Sequence, residues 1–157
     1  MRNLILLAIA TIFLSGCNQP QKAKEEKSTQ KGQVNDLVDK SVTLSVEPSV
    51  FLLSKLPETI TTTMANTTED TITTGLQYKI ESYQNNKWKE ISPNDMLFQD
   101  LGWQLKPTDT QNFTKKLYKD QIEYKAGKYR IVKHYLKSDY QKTRERFTVY
   151  AEFDIEE

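Results

Sequence analysis

The ten residues Arg146-Phe147-Thr148-Val149-Tyr150-Ala151-Glu152-Phe153-Asp154-Ile155 decide the class of this fold. Phe147, Val149, Ala151, Phe153 and Ile155 occupy every second position, with Thr148, Tyr150, Glu152 and Asp154 between them. Successive side chains of a strand point to opposite faces, so the segment is a strand with one apolar and one largely polar face.

The chain upstream carries the same signal in shorter pieces. Lys128 to Leu136 has two phases: Tyr129 and Ile131 claim one face, Val132 and Leu136 the other. A strand buried on both sides or a bulge accounts equally for this. Phe113 and Leu117 mark a strand; Leu101, Trp103 and Leu105 mark another, followed by a Lys106-Pro107-Thr108-Asp109 turn. Leu76, Tyr78 and Ile80 form one face of a strand that turns at Gln84-Asn85-Asn86 into Lys87 to Ile91. Thr59 to Asn66 is threonine-rich with Ile60, Thr62 and Met64 on one face, and Asn66 to Asp70 is a polar turn. Val42, Leu44 and Val46 alternate before Pro48, and Val50 to Leu53 reads as an edge strand that changes partner. Ser92 before Pro93, with Asp95 three positions on, predicts a helix over Pro93 to Gln99. About seven to nine short strands, with turn signals every ten or so residues and no internal repeat, predict an all-β antiparallel sandwich.

Residues 1–16 read as a signal peptide: Arg2 supplies the positive end and Leu4 to Leu14 the apolar core, too short to span a bilayer. Asn18 to about Asp36 contains almost nothing apolar, so it cannot repay the entropy of ordering and reads as a disordered tether. Such a tether spans ~25 Å on average and ~60 Å at full stretch. The expected organisation is thus a signal peptide over 1–16, a linker over 17–40 and one domain over 41–157.

Leu14-Ser15-Gly16-Cys17 resembles the lipobox of bacterial lipoproteins, which implies a diacylglyceryl group on Cys17 and cleavage before it. Two acyl chains hold a protein stably on a membrane. That places the protein at the extracytoplasmic face of the cell membrane. Cys17 is the only cysteine, so the domain is expected to hold together by packing without a disulfide. Further on, Ala126-Gly127-Lys128-Tyr129-Arg130-Ile131 resembles the start of the sixth strand of immunoglobulin-like domains. In those domains a tyrosine at this place bonds back to the backbone at the corner between the sheets. Together with the Asn66 to Asp70 turn, the Lys87-Trp88 pair and the Leu105-Lys106-Pro107 turn, the order of motifs is similar to that of bacterial immunoglobulin-like domains common in lipoproteins. The resemblance implies an immunoglobulin-like sandwich and carries no catalytic residues with it.

Chemistry is sparse. His134 is the only histidine, there is no Gly-x-Ser-x-Gly elbow, and the five glycines build no phosphate loop. Neither an enzyme, a cofactor nor a metal site is expected. The overall charge nearly balances, with 22 basic and 21 acidic residues, but its distribution does not. Lys115 to Arg146 holds eleven basic and four acidic residues, whereas Ser41 to Asn112 holds five and nine. Lys125, Lys128, Arg130, Lys133, Arg144 and Arg146 are therefore the candidate contacts for a protein or an anionic cell-envelope partner. The export signal argues against nucleic acid. The expected function is a membrane-anchored, non-enzymatic binding or accessory module. The alternative is an inhibitor or sensor-accessory protein acting on an extracytoplasmic protease or receptor, with Met96, Leu97 or Phe98 in the Ser92 to Gly102 loop as its insertion element.

Overall fold

A computed structural model describes residues 41–157; the signal segment, Cys17 and the tether lie outside the described residues. Ten strands follow in order: β1 (Val42–Val46), β2 (Val50–Leu52), β3 (Thr59–Asn66), β4 (Ile72–Gly75), β5 (Lys79–Gln84), β6 (Lys87–Glu90), β7 (Gly102–Leu105), β8 (Thr110–Lys116), β9 (Gly127–Lys137) and β10 (Phe147–Glu156). One short helix, α1 (Tyr140–Thr143), lies between β9 and β10. Strands β1, β3 and β8 form a three-stranded sheet in that order, and the other seven form a second sheet centred on β9 and β10. The expected antiparallel sandwich is present, with one parallel pair added by β2 against β10.

The apolar face of β10 is the floor of the core: Phe147, Val149, Ala151, Phe153 and Ile155 are all buried. Each such aliphatic or aromatic side chain contributes roughly 1.5–3 kcal/mol on leaving water. Facing them from the smaller sheet are Val42, Leu44, Val46, Ile60, Met64 and Phe113. The two phases of β9 resolve without a bulge on its β10 side, because nine consecutive residues keep register from Gly127↔Ile155 to Tyr135↔Phe147. The strand is buried on both sides: Tyr129, Ile131 and Tyr135 face the core, while Val132 on the outer face lies between Tyr150 and Lys79 in the ladder.

Tyr129 occupies the corner. Its hydroxyl donates to the Lys125 carbonyl at 2.9 Å and accepts from the Lys125 N–H at 3.0 Å. Its ring stacks on Phe153 and meets a tilted Tyr124 ring, with centroids 5.7 and 5.2 Å away. Tyr129→Phe keeps the rings but leaves both backbone groups of Lys125 without this partner. It is expected to lower stability by about 1.5 kcal/mol in urea unfolding; a change below the error of the fit would mean that the corner bonds contribute nothing.

A second polar bracket ties two turns together. Asn66 is fully buried, and its Nδ2 donates to the carbonyls of Asp70 (2.8 Å), Leu105 (3.0 Å) and Lys106 (3.1 Å). Its Oδ1 accepts from the N–H and hydroxyl of Thr68 at 3.0 and 2.7 Å. Elsewhere, Asn85 and Asn86 take φ of 50° and 61°, the left-handed pair that a two-residue hairpin turn between β5 and β6 requires.

Two expectations fail here. Pro93 to Gln99 is not helical; Ser92, whose hydroxyl would cap such a helix, instead accepts from the Ile80 N–H at 2.8 Å and so binds this loop to β5. The strand expected over Leu76 to Ile80 begins only at Lys79, and a separate strand, β4, ends at Gly75, leaving a break between them. β9 pairs with β4 at Tyr135 to Lys137 and with β5 at Tyr129 to Val132, so residues 75–78 oppose only 133–134. Two extra residues swell out of the ladder, and β7 covers the edge of β4 while β6 covers that of β5.

Candidate functional site

The swelling between β4 and β5 turns two carbonyls toward the interior, and a lysine from each sheet meets them. Lys133 on β9 donates its Nζ to the Gly75 carbonyl, and Lys115 on β8 donates to the Leu76 carbonyl at 3.2 Å. Both residues are fully buried. The Phe113 ring lies 4.2 Å from the Lys133 Nζ and 5.0 Å from that of Lys115, which also sits 4.7 Å from the Tyr78 ring. Among the described residues no carboxylate forms an ion pair with either lysine. Loss of water drives both pKa values down, Lys115 to about 8 and Lys133 to about 7, the latter also through repulsion from Lys115.

Outside the same swelling the surface is grooved. A hollow of ≈ 200 Å³ opens between Gly75, Gln77, Leu101, Leu136 and Arg146. A neighbouring one of ≈ 330 Å³ runs under Tyr78, Met96 and Phe98, and the two share Gln77, His134 and Arg146. His134 is placed by two threonines: Thr74 donates to its carbonyl at 2.7 Å, and its Nδ1 lies 2.9 Å from the Thr148 hydroxyl. The second hollow is also lined by Ser92 and Glu90, a hydroxyl and a carboxylate in the same hollow as the imidazole. Here Ser92 is committed to the Ile80 backbone and Glu90 to Lys79 at 2.7 Å. Among the described residues there is no cluster of side chains able to hold a metal ion.

Further along the outer face of the larger sheet, Arg130 lies between two aromatic rings, 4.3 Å from Trp88 and 4.0 Å from Tyr150. Glu81 holds its guanidinium at 2.6 Å, and Tyr83 packs edge-on against Trp88. Tyr83 is 43% exposed, so the cluster presents an aromatic edge to solvent.

The six cations expected to form one surface do not come together. Lys125 and Lys128 are exposed at one end of β9, with Glu123 at 3.4 Å and Asp154 at 3.5 Å respectively. Arg130 is held in the aromatic cluster, and Lys133 is inside the core. Arg144, at the end of α1, sits 5.8 Å from the Tyr140 ring, and Arg146 lines the groove. Arg146 precedes Phe147, the partner of Tyr135, so it lies roughly 25 Å along the strand from Lys128. The buried lysines had a signal in the sequence: Lys133 shares the period-2 face of Tyr129, Ile131 and Tyr135, and Lys115 that of Phe113 and Leu117. The candidate insertion element also changes. Met96 and Phe98 pack against the core and Leu97 alone of the three is exposed, at 93%.

The family profile of the bacterial Ig-like domain matches residues 39–154, most of the chain. The chain belongs to the bacterial Ig-like domain family. That family is a non-catalytic type of module, in keeping with a binding or accessory role. No curated protein matches this Ig-like chain. Among solved structures it is similar to the Pseudomonas fluorescens alkylpurine DNA glycosylase AlkC bound to DNA containing an abasic site analog, at 15% identity and a TM-score of 0.34. The alignment covers 76% of the Ig-like chain and 32% of the glycosylase, so the chain spans about a third of that protein. A similarity this loose has no bearing on activity. Among the described residues no helix is long and apolar enough to cross a membrane.

Proposed function

We propose that this Ig-like protein is a membrane-anchored, extracytoplasmic binding module without enzymatic activity, tethered through lipid on Cys17 and engaging a protein partner in the cell envelope. The observation that carries the reading is the Tyr83, Trp88, Arg130 and Tyr150 cluster on the outer face of the larger sheet. Tyrosine, tryptophan and arginine are the residue types that dominate binding energy at protein interfaces. Here Glu81 fixes the arginine in advance, so little side-chain entropy is lost on contact.

The test uses intact cells carrying a photo-crosslinking side chain at position 83. A discrete adduct is expected, lost when Trp88→Ala is added, and absent from the membrane fraction for Cys17→Ala. An adduct indifferent to Trp88→Ala would remove the cluster from the reading, and a Cys17→Ala protein still held at the membrane would remove the lipid anchor. The inhibitor alternative now rests on Leu97 alone: an adduct formed from position 97 and not from 83 would favour it.

A further inference from the structure

The groove over the split strand is separate from the aromatic cluster, and its chemistry is more specific. We propose that it is a binding site for a carboxylate carried on an apolar stem, with the Arg146 guanidinium as the anion's fork and Tyr78, Met96 and Phe98 as the wall for the stem.

Four observations converge on it. Arg146 is exposed on the wall common to both hollows, and among the described residues it makes no ion pair. A guanidinium presents paired N–H donors that match the two oxygens of a carboxylate. Gly75 lines the first hollow, and its carbonyl is engaged by the buried Lys133, while Lys115 holds the adjacent Leu76 carbonyl; no carboxylate is paired with either ammonium group among the described residues. Charge buried in low dielectric acts over a longer range than charge in water, so an anion seated above Gly75 gains attraction from both. The acids nearby do not pair with Arg146: Glu90 is bound to Lys79, and Asp100, which lines the first hollow, is exposed to water, which screens its charge.

The shape selects the rest of the ligand. Together the hollows hold a molecule of about a dozen heavy atoms, and their apolar lining, extended by Leu101 and Leu136, favours an aromatic or aliphatic tail. One guanidinium with an imidazole beside it suits a monoanion. A phosphate dianion calls for a richer set of donors than Gln77, His134 and Arg146 supply.

The experiment is an NMR titration of the full chain in neutral detergent at pH 6.5, following the amides of Gly75 and Gly102 and the His134 imidazole. With 3-phenylpropionate, saturable shifts at these groups are expected with Kd on the order of 1 mM. Arg146→Gln, a change at an exposed position, should leave the rest of the spectrum in place and weaken binding roughly tenfold. The amide 3-phenylpropanamide should bind at least tenfold more weakly, and inorganic phosphate at equal concentration should not displace the acid. Absence of saturable shifts, equal binding of the amide, displacement by phosphate, or an unchanged Kd in Arg146→Gln would each overturn the assignment.

Discussion

Asn66→Ala is expected to lower the unfolding free energy by about 4 kcal/mol, near the upper end for a single substitution. The buried side chain shares its two amide hydrogens among three carbonyls and accepts twice at its oxygen. Alanine removes the partner of each, and at least the Leu105 carbonyl stays buried. A buried polar group stripped of its partner costs the full price of its desolvation. The loss is not local, because Asn66 is the last residue of β3 and joins the turn before β4 to the turn between β7 and β8. Asn66→Asp should fare little better, since a carboxylate accepts and cannot donate to three carbonyls. Urea unfolding at constant slope is the measurement, and a loss under 1 kcal/mol for Asn66→Ala would refute this account of the bracket.

The other large effect is a dependence of stability on pH. In the fold Lys115 and Lys133 titrate near 8 and 7, whereas an unfolded chain holds these protons to about 10.4. Between those limits the unfolded state binds more protons, so stability rises with pH. Below about pH 6 the pair is charged in both states and its contribution to the slope vanishes. Tyr78 and Tyr124 act in the opposite sense: burial raises their pKa values, so above about pH 10 the unfolded chain loses phenolic protons that the fold keeps. Stability should therefore climb by on the order of 6 kcal/mol from pH 6.5 to a maximum near pH 10, then fall. Lys133→Met should flatten the climb by about half. A wild-type profile that is level or descending from pH 7 to 10 would show that the lysines keep their charge at no cost.

What the sequence discloses depends on how far a pattern reaches. β10 is long enough for alternation to fix its faces, whereas β9 shows two phases that only the ladder decides; Tyr129 is read as the corner residue because a short motif containing Gly127 brings it there. Pro93 to Gln99 misleads because the capping signal is local, whereas the use of the Ser92 hydroxyl is settled by β5, twelve residues earlier. The split between β4 and β5 has no local signal at all; it shows only in the pairing, where β7 flanks β4 and β6 flanks β5 while both inner strands share β9. Lys115 and Lys133 look like surface charges in a count of basic residues, and only their phase within the strands gives them away. The groove depends on the split, the lysines and the Ser92 loop together, so it is visible only in three dimensions.

Lys115 has one more consequence, which concerns many copies rather than one. Strand β8 lies at one edge of the smaller sheet, opposite β1, and such a border offers its backbone to any extended segment that passes. A charged side chain turned inward from that border resists fusion with a neighbour's sheet, because the merged structure must still accommodate the ammonium. The residue that weakens the single fold at neutral pH thus guards a crowd of identical domains against polymerising through their borders.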